Sequence, residues 1–156
     1  ILKLVGVPTG SKVLTVFTTP KWILQDKTLF SRFVNRLFSC EGSVDLVNNY
    51  IEIQMYKSEK LVEDGLKFFN EIKFYLNKYF NITTTQPFLG NTFNLRYDGI
   101  KTKPIRLKIK RINSLIKFRD SIGLEDTAKM SRLKMITEKN INKTQISTNR
   151  LSIMGI

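Results

Sequence analysis

The hydrophobic period of the chain changes at one residue, Gly42, and that change limits the folds open to it. Before Gly42, Phe30, Val34 and Phe38 recur every four residues, which predicts a helix from about Thr28 to Cys40 with one buried face. After it, "SVDLV" and "YIEIQMYK" alternate with period two on either side of Asn48 and Asn49, which predicts two strands joined by a turn. A helix that runs directly into an antiparallel hairpin belongs to an α+β domain, with helices segregated to one face of the sheet.

The rest of the chain repeats this grammar. Pro20 suits the first turn of a short helix carrying Trp22 and Ile23. Residues 59–80 predict a second long helix, with Val62, Leu66, Phe69, Ile72, Leu76 and Tyr79 on one stripe that reads as core. "NITTTQPF" reads as a connection. "TFNLRY" and "PIRLKIKRI" predict a second strand pair around Asp98 and Gly99. "SLIKFRDSIG" is a third helix closed by Gly123, and "EDTAKMSRLKMI" a fourth, with Ala128, Leu133 and Ile136 on one side. The division expected is an arm at 1–27, a domain at 28–137 and a polar, mobile tail at 138–156, with a four-stranded sheet.

The helix before Gly42 ends on an unexpected residue. The position that continues its apolar stripe is Glu41. Gly42 reads as a helix stop able to take the left-handed conformation. Glu41 then sits where the helix dipole is negative, which disfavours an anion. Either its carboxylate turns into water, or a cation matches it. A divalent ion would accept both the carboxylate and the orphan carbonyls of the last turn, since both are hard oxygen ligands.

Composition narrows the chemistry. The chain carries 26 Lys and Arg against 13 Asp and Glu, a net charge of +13, which points to a polyanionic partner. It has no histidine, which excludes Ser-His-Asp and Cys-His catalysis and His-ligated zinc. No phosphate-binding loop or dinucleotide fingerprint is present. An enzyme built from this chain would work with carboxylates, lysines and a hard metal. Cys40 is the only cysteine, and no run of about 18 apolar residues occurs, so an intracellular protein that is neither secreted nor membrane-spanning is expected.

The charge is concentrated. Between Lys101 and Arg119 stand eight basic residues and no acidic one. In "PIRLKIKRI", Ile105, Leu107 and Ile109 alternate with Arg106, Lys108 and Lys110, so a strand there would put its cations on the face opposite the core. Glu52, Gln54, Asn94 and Arg96 would share that face. A twisted antiparallel ribbon fits the roughly 12 Å major groove of DNA, where Arg, Asn and Gln read base edges. Cations beside them would neutralise phosphates. Double-stranded DNA is the expected partner; a basic surface without a specific partner is the plain alternative.

"FVNRLFSCEGSV" resembles the signature helix of the LAGLIDADG homing endonucleases, an apolar helix ending in an acid and a glycine. Val34 to Gly42 match its nine positions. "GVPTGSK" followed by "PKWI" is similar to the segment before the motif in intein-encoded and archaeal members. "IGLEDTAKMSRL" is similar to a late element, with Lys129 six residues after Gly123 and Leu133 four further on. The ordered set spans roughly residues 5 to 136.

The resemblance implies an αββαββα half whose sheet lies on DNA. Two halves would pack their motif helices through Val34, Leu37, Phe38, Cys40 and Gly42. Glu41 would be the metal-binding acid, with the backbone carbonyl of Cys40 beside it, and Lys129 the basic residue near the reacting phosphate. The cofactor implied is Mg²⁺ or another divalent cation. One motif supplies one acid, so a homodimer or a second half in a longer natural chain is expected. A DNA-binding regulator that does not cut, or an RNA maturase, is the alternative within the same family. Lys129 also reads as an ordinary solvent-facing helix lysine.

Overall fold

The computed structural model describes residues 11–16 and 18–153, with side chains to Asn140. The "GVPTG" part of the N-terminal segment and residues 154–156 lie outside the described residues. Among those described, the chain forms five α-helices and a five-stranded antiparallel sheet. In chain order these are α1 (Lys21–Gln25), α2 (Lys27–Glu41), β1 (Gly42–Asp45), β2 (Tyr50–Ser58), α3 (Val62–Phe80), β3 (Phe88–Leu89), β4 (Asn94–Leu95), β5 (Lys101–Ile109), α4 (Ile112–Ser121) and α5 (Thr127–Ile153). A single 3₁₀ turn, Glu59–Leu61, leads into α3.

The two alternating strands, β2 and β5, form the centre of the sheet. They pair antiparallel over eight positions, from Ile51 opposite Ile109 to Ser58 opposite Thr102. β1 pairs with the other side of β2, and β3 and β4 both pair with β5. The strand order is β1-β2-β5-β3, so β1 is an edge. The inner face carries Ile51, Ile53, Met55, Ile105, Leu107 and Ile109, all buried. Helices cover it: Phe30, Val34 and Phe38 of α2, Phe68, Phe69, Ile72 and Leu76 of α3, Leu115 and Phe118 of α4, and Leu133 and Ile136 of α5 join the same core. Both turns adopt the conformation their residues suggest, with Asn49 at φ 54° and Gly99 at φ 76°.

Several expectations need correction. The sheet has a fifth strand, β3, which begins on the last residue of the segment read as a connection; two residues are too short to show a period. Only Asn94 and Leu95 of "TFNLRY" join the ladder, and Phe93, Leu95 and Tyr97 stay exposed. The fourth helix does not end near Ile136. It continues to Ile153, with no glycine or proline to interrupt it. Ala128 is exposed; Met130 and Thr137 accompany Leu133 and Ile136 on the packed side.

Gly42 is also explained differently. It sits at φ −87°, ψ 162°, in extended backbone that any residue adopts, because α2 runs without a loop into β1. Glycine is required by space instead: a Cβ there would lie 2.4 Å from the Phe38 carbonyl oxygen, which accepts the Gly42 N–H.

Candidate active site and nucleic-acid interface

The C-terminal end of α2 is zipped to the α4–α5 connection by a polar stripe. Ser31, Asn35 and Ser39 fall four residues apart and face that connection. Ser31 Oγ donates to Ser121 O at 3.2 Å, Asn35 Nδ2 donates to Ile122 O at 2.9 Å, and Ser39 Oγ accepts from Glu125 N at 2.8 Å. Arg36 ion-pairs with Glu125 on the outside of the same seam. Gly123, at φ 69°, makes the turn that returns the chain to α2.

This seam fixes Lys129. Asp126 caps the first turn of α5 by accepting from Lys129 N at 2.9 Å. The side chain then extends back across the seam, and Lys129 Nζ donates to Ser39 O at 2.5 Å. An ammonium on the last carbonyls of a helix is favoured by the dipole. Glu41 is two residues beyond Ser39, on the same helix end, and its carboxylate pairs with Lys12. Glu41 and Lys129 thus both lie at the C-terminal end of α2, each with a partner of its own: Lys12 for the carboxylate and the Ser39 carbonyl for the ammonium. Glu41 also directly precedes β1, the edge strand of the sheet among the described residues.

The remaining motif-helix residues divide. Val34 and Phe38 are fully buried in the chain's own core, with Phe38 at 5.1 Å from the Phe118 ring. Both face this chain's own core and not the exposed flank of α2. Leu37 packs partly against the core, Cys40 is exposed, and the outward flank of α2 is Leu29, Arg32, Arg36 and Cys40. Among the described residues no group of three or more His, Cys, Asp or Glu could hold a metal ion. One carboxylate and neighbouring carbonyls are hard donors of the right kind, but a single chain supplies only part of a cation site.

The outer face of the sheet gathers four of the seven expected binding residues. Gln54 lies opposite Arg106, and Glu52 opposite Lys108. The face is not a bare cationic strip. Glu52 is 7% exposed, with its oxygens 2.9 Å from Lys108 Nζ and 3.8 Å from Arg106 Nη1. Lys108 Nζ also lies 3.9 Å from the centre of the Tyr50 ring and 5.8 Å from that of Phe88. Burial alone would lower the Lys108 pKa; its bonds to Glu52 and Tyr50 outweigh this and raise it. Lys110 stands beyond the end of β5, exposed. Asn94 is exposed on β4, opposite Thr102. Arg96 is held in the β4–β5 turn by Asp98, with Nη2 to Oδ2 at 3.1 Å.

The sequence reading missed Lys12, Ser39 and Glu125. Nothing periodic links Lys12 to a residue 29 positions away. Ser39 and Glu125 could be found only as polar residues on a helix face and after a helix-ending glycine.

No protein-family model matches the chain, and no solved structure matches it. A curated protein that does match is the tRNA-splicing ligase RtcB of Methanocaldococcus jannaschii. It is 36% identical over 79 residues, a stretch covering 47% of this chain and 8% of the ligase. The chain therefore spans a small fraction of that relative's length. None of the described helices is long and apolar enough to cross a membrane.

Proposed function

We propose that the chain is one half of a site-specific double-stranded DNA endonuclease of the LAGLIDADG type, active as a homodimer or with a second half in a longer chain. The observation that supports this is that α2, ending in Glu41 and carrying the Lys129 ammonium on its Ser39 carbonyl, runs directly into β1, the edge of the sheet. A copy packed along that edge would bring two such ends together and double the sheet face. Gln54 and Arg106 are then the side chains to read base edges, and Lys110 is free to meet phosphate. Glu41 and the Cys40 carbonyl would hold the divalent ion, which supplies an activated water and a stabilised leaving 3′ oxygen. Lys129, already poised on a carbonyl oxygen, would offer its protons to the phosphate oxygens as negative charge builds.

The likeness to a tRNA-splicing ligase covers too little of that protein to carry ligation here. A second reading, a family member that binds DNA or RNA without cutting, is favoured by the hold of Lys12 on Glu41. Glu41→Gln separates the two. It keeps shape and removes charge, so folding and DNA binding should persist while Mg²⁺-dependent cleavage falls to background. If the unmodified protein binds its site and cuts under no divalent ion, the non-cutting reading holds. Undiminished cleavage by the Gln variant removes Glu41 from the chemistry.

A further inference from the structure

Lys57 is a lysine with 0% exposure, on the inner face of β2 in line with Ile51, Ile53 and Met55. Its surroundings are built for it. Gly65, the fourth residue of α3, leaves the space its stem occupies: a Cβ there would stand 2.9 Å from Lys57 Cγ and 2.3 Å from Ile105 Cδ1. Glycine is disfavoured inside a helix, so its presence marks this close approach. Lys57 Nζ lies 3.8 Å from Asp64 Oδ2 and donates to the backbone oxygen of Thr15 at 2.7 Å.

Thr15 belongs to a strap, residues 11–16, closed on itself by bonds from Leu14 N and Thr15 N to Ser11 O, at 2.9 and 3.1 Å. The strap is tied again where Ser58 N donates to Val13 O at 3.0 Å. Lys12, on the same turn, reaches Glu41. Two adjacent residues of β2, Lys57 and Ser58, thus hold the segment that carries a positive charge to the end of α2.

We propose that Lys57 is a positioning residue, a buried latch that fixes the strap and so sets Lys12 against Glu41. A burial site for an ammonium is costly, and a core position beside Met55 would be filled at lower cost by an apolar side chain. What the charge adds is a strong bond to a carbonyl of a segment that has little apolar anchorage of its own. The consequence for cleavage rests on the reading of Glu41 above; the latch itself does not.

The test is Lys57→Met in the full chain, read without any cleavage assay. Methionine fits the same channel, so far-UV circular dichroism and the thermal midpoint should be unchanged or the midpoint slightly higher. The Lys12–Val13 bond, which the strap protects, should be cut by trypsin at least about tenfold faster, as expected for loss of a bond to a charged group, with sites in α3 and α4 unaffected. Equal cutting in both proteins overturns the proposal, as does a uniform rise at every site, which would signal general loosening. Wild-type protein supplies an independent check should the variant fail to fold. Under rising urea, acylation of Lys57 should begin together with cutting at Lys12, before global unfolding. Lys57 protected until global unfolding while Lys12–Val13 is cut freely would also overturn it.

Discussion

The two faces of the central strand pair treat their lysines, one half-buried and one fully buried, in opposite ways. On the outer face, Lys108 sits against Glu52 at 2.9 Å and over Tyr50, and its pKa is raised. On the inner face, Lys57 has Asp64 at 3.8 Å and a backbone oxygen, and burial pushes its pKa down, with Asp64 only partly restoring it. The lesson is that a lysine's pKa follows the balance between its burial and a directly opposed carboxylate. Glu52 makes Lys108 a stable member of the surface. Lys57 is retained against its own desolvation.

The largest effect should come from removing the carboxylate. Glu52→Gln leaves Lys108 and Arg106 on the face without a counter-charge, and we expect a loss of about 2 kcal/mol in urea unfolding. The same change frees both cations for phosphate. In the proposed DNA complex, the slope of log affinity against log salt should then steepen by up to about 0.9 for each cation released. A variant with unchanged stability would mean that Lys108 is held by Tyr50 and Phe88 rather than by charge.

That arrangement was only partly legible in the sequence. α2, β2, α3 and β5 announce themselves because each is long and buries one face, so the period is expressed over several turns or pairs. β3 has two residues and no period to show. The cations of β5 were visible, but their state was not: Glu52 is some fifty residues away in the chain, and the register that sets it opposite Lys108 depends on both strands. Glu41 and Lys129 were legible as a pair only through their resemblance to a motif. The bond that brings Lys129 to the end of α2 runs to Ser39 O, a backbone atom that no sequence pattern reports. Lys57 is the instructive case. It stands two residues after Met55 in an alternating strand, so period two already placed it inside, and only the habit of reading lysine as surface concealed it.

A smaller effect distinguishes the two faces by pH. Lys57 has a folded pKa below its unfolded value of about 10.4, so its charged form penalises the fold until pH rises past that value. Lys57→Met should therefore gain most over wild type near neutral pH, and the gap should close as pH approaches about 10.4. Lys108 has a raised pKa, so its contribution is fully present below the unfolded value and is lost only as pH rises through the folded one. Wild type should keep its advantage over Lys108→Met through neutral pH and lose it at the alkaline end. Urea midpoints of the three proteins from pH 7 to 11 test both; parallel curves would remove the contrast.

The smallest effect lies at the turn that joins β1 to β2, outside either face. Asp45 accepts from Asn48 N at 2.8 Å, Val47 N at 2.9 Å and Asn48 Nδ2 at 3.0 Å, and these bonds, the Asn48 side chain foremost, hold its carboxyl down to about 2. The unfolded value is near 3.9, so the stabilisation is complete above that pH and disappears as pH falls through about 2. Asp45→Ala should lower stability slightly at pH 6 and flatten the loss between pH 4 and 2, because the group responsible for part of that slope is gone. Asp45 is half-buried, and its partners are hydrogen-bond donors at contact distance, not remote charges. Added salt should therefore leave its share of the acid slope in place, whereas in the proposed DNA complex salt should weaken the attraction of the outer face for phosphate. An acid slope that vanished in high salt would show that long-range charge, not the turn, lowers the Asp45 pKa.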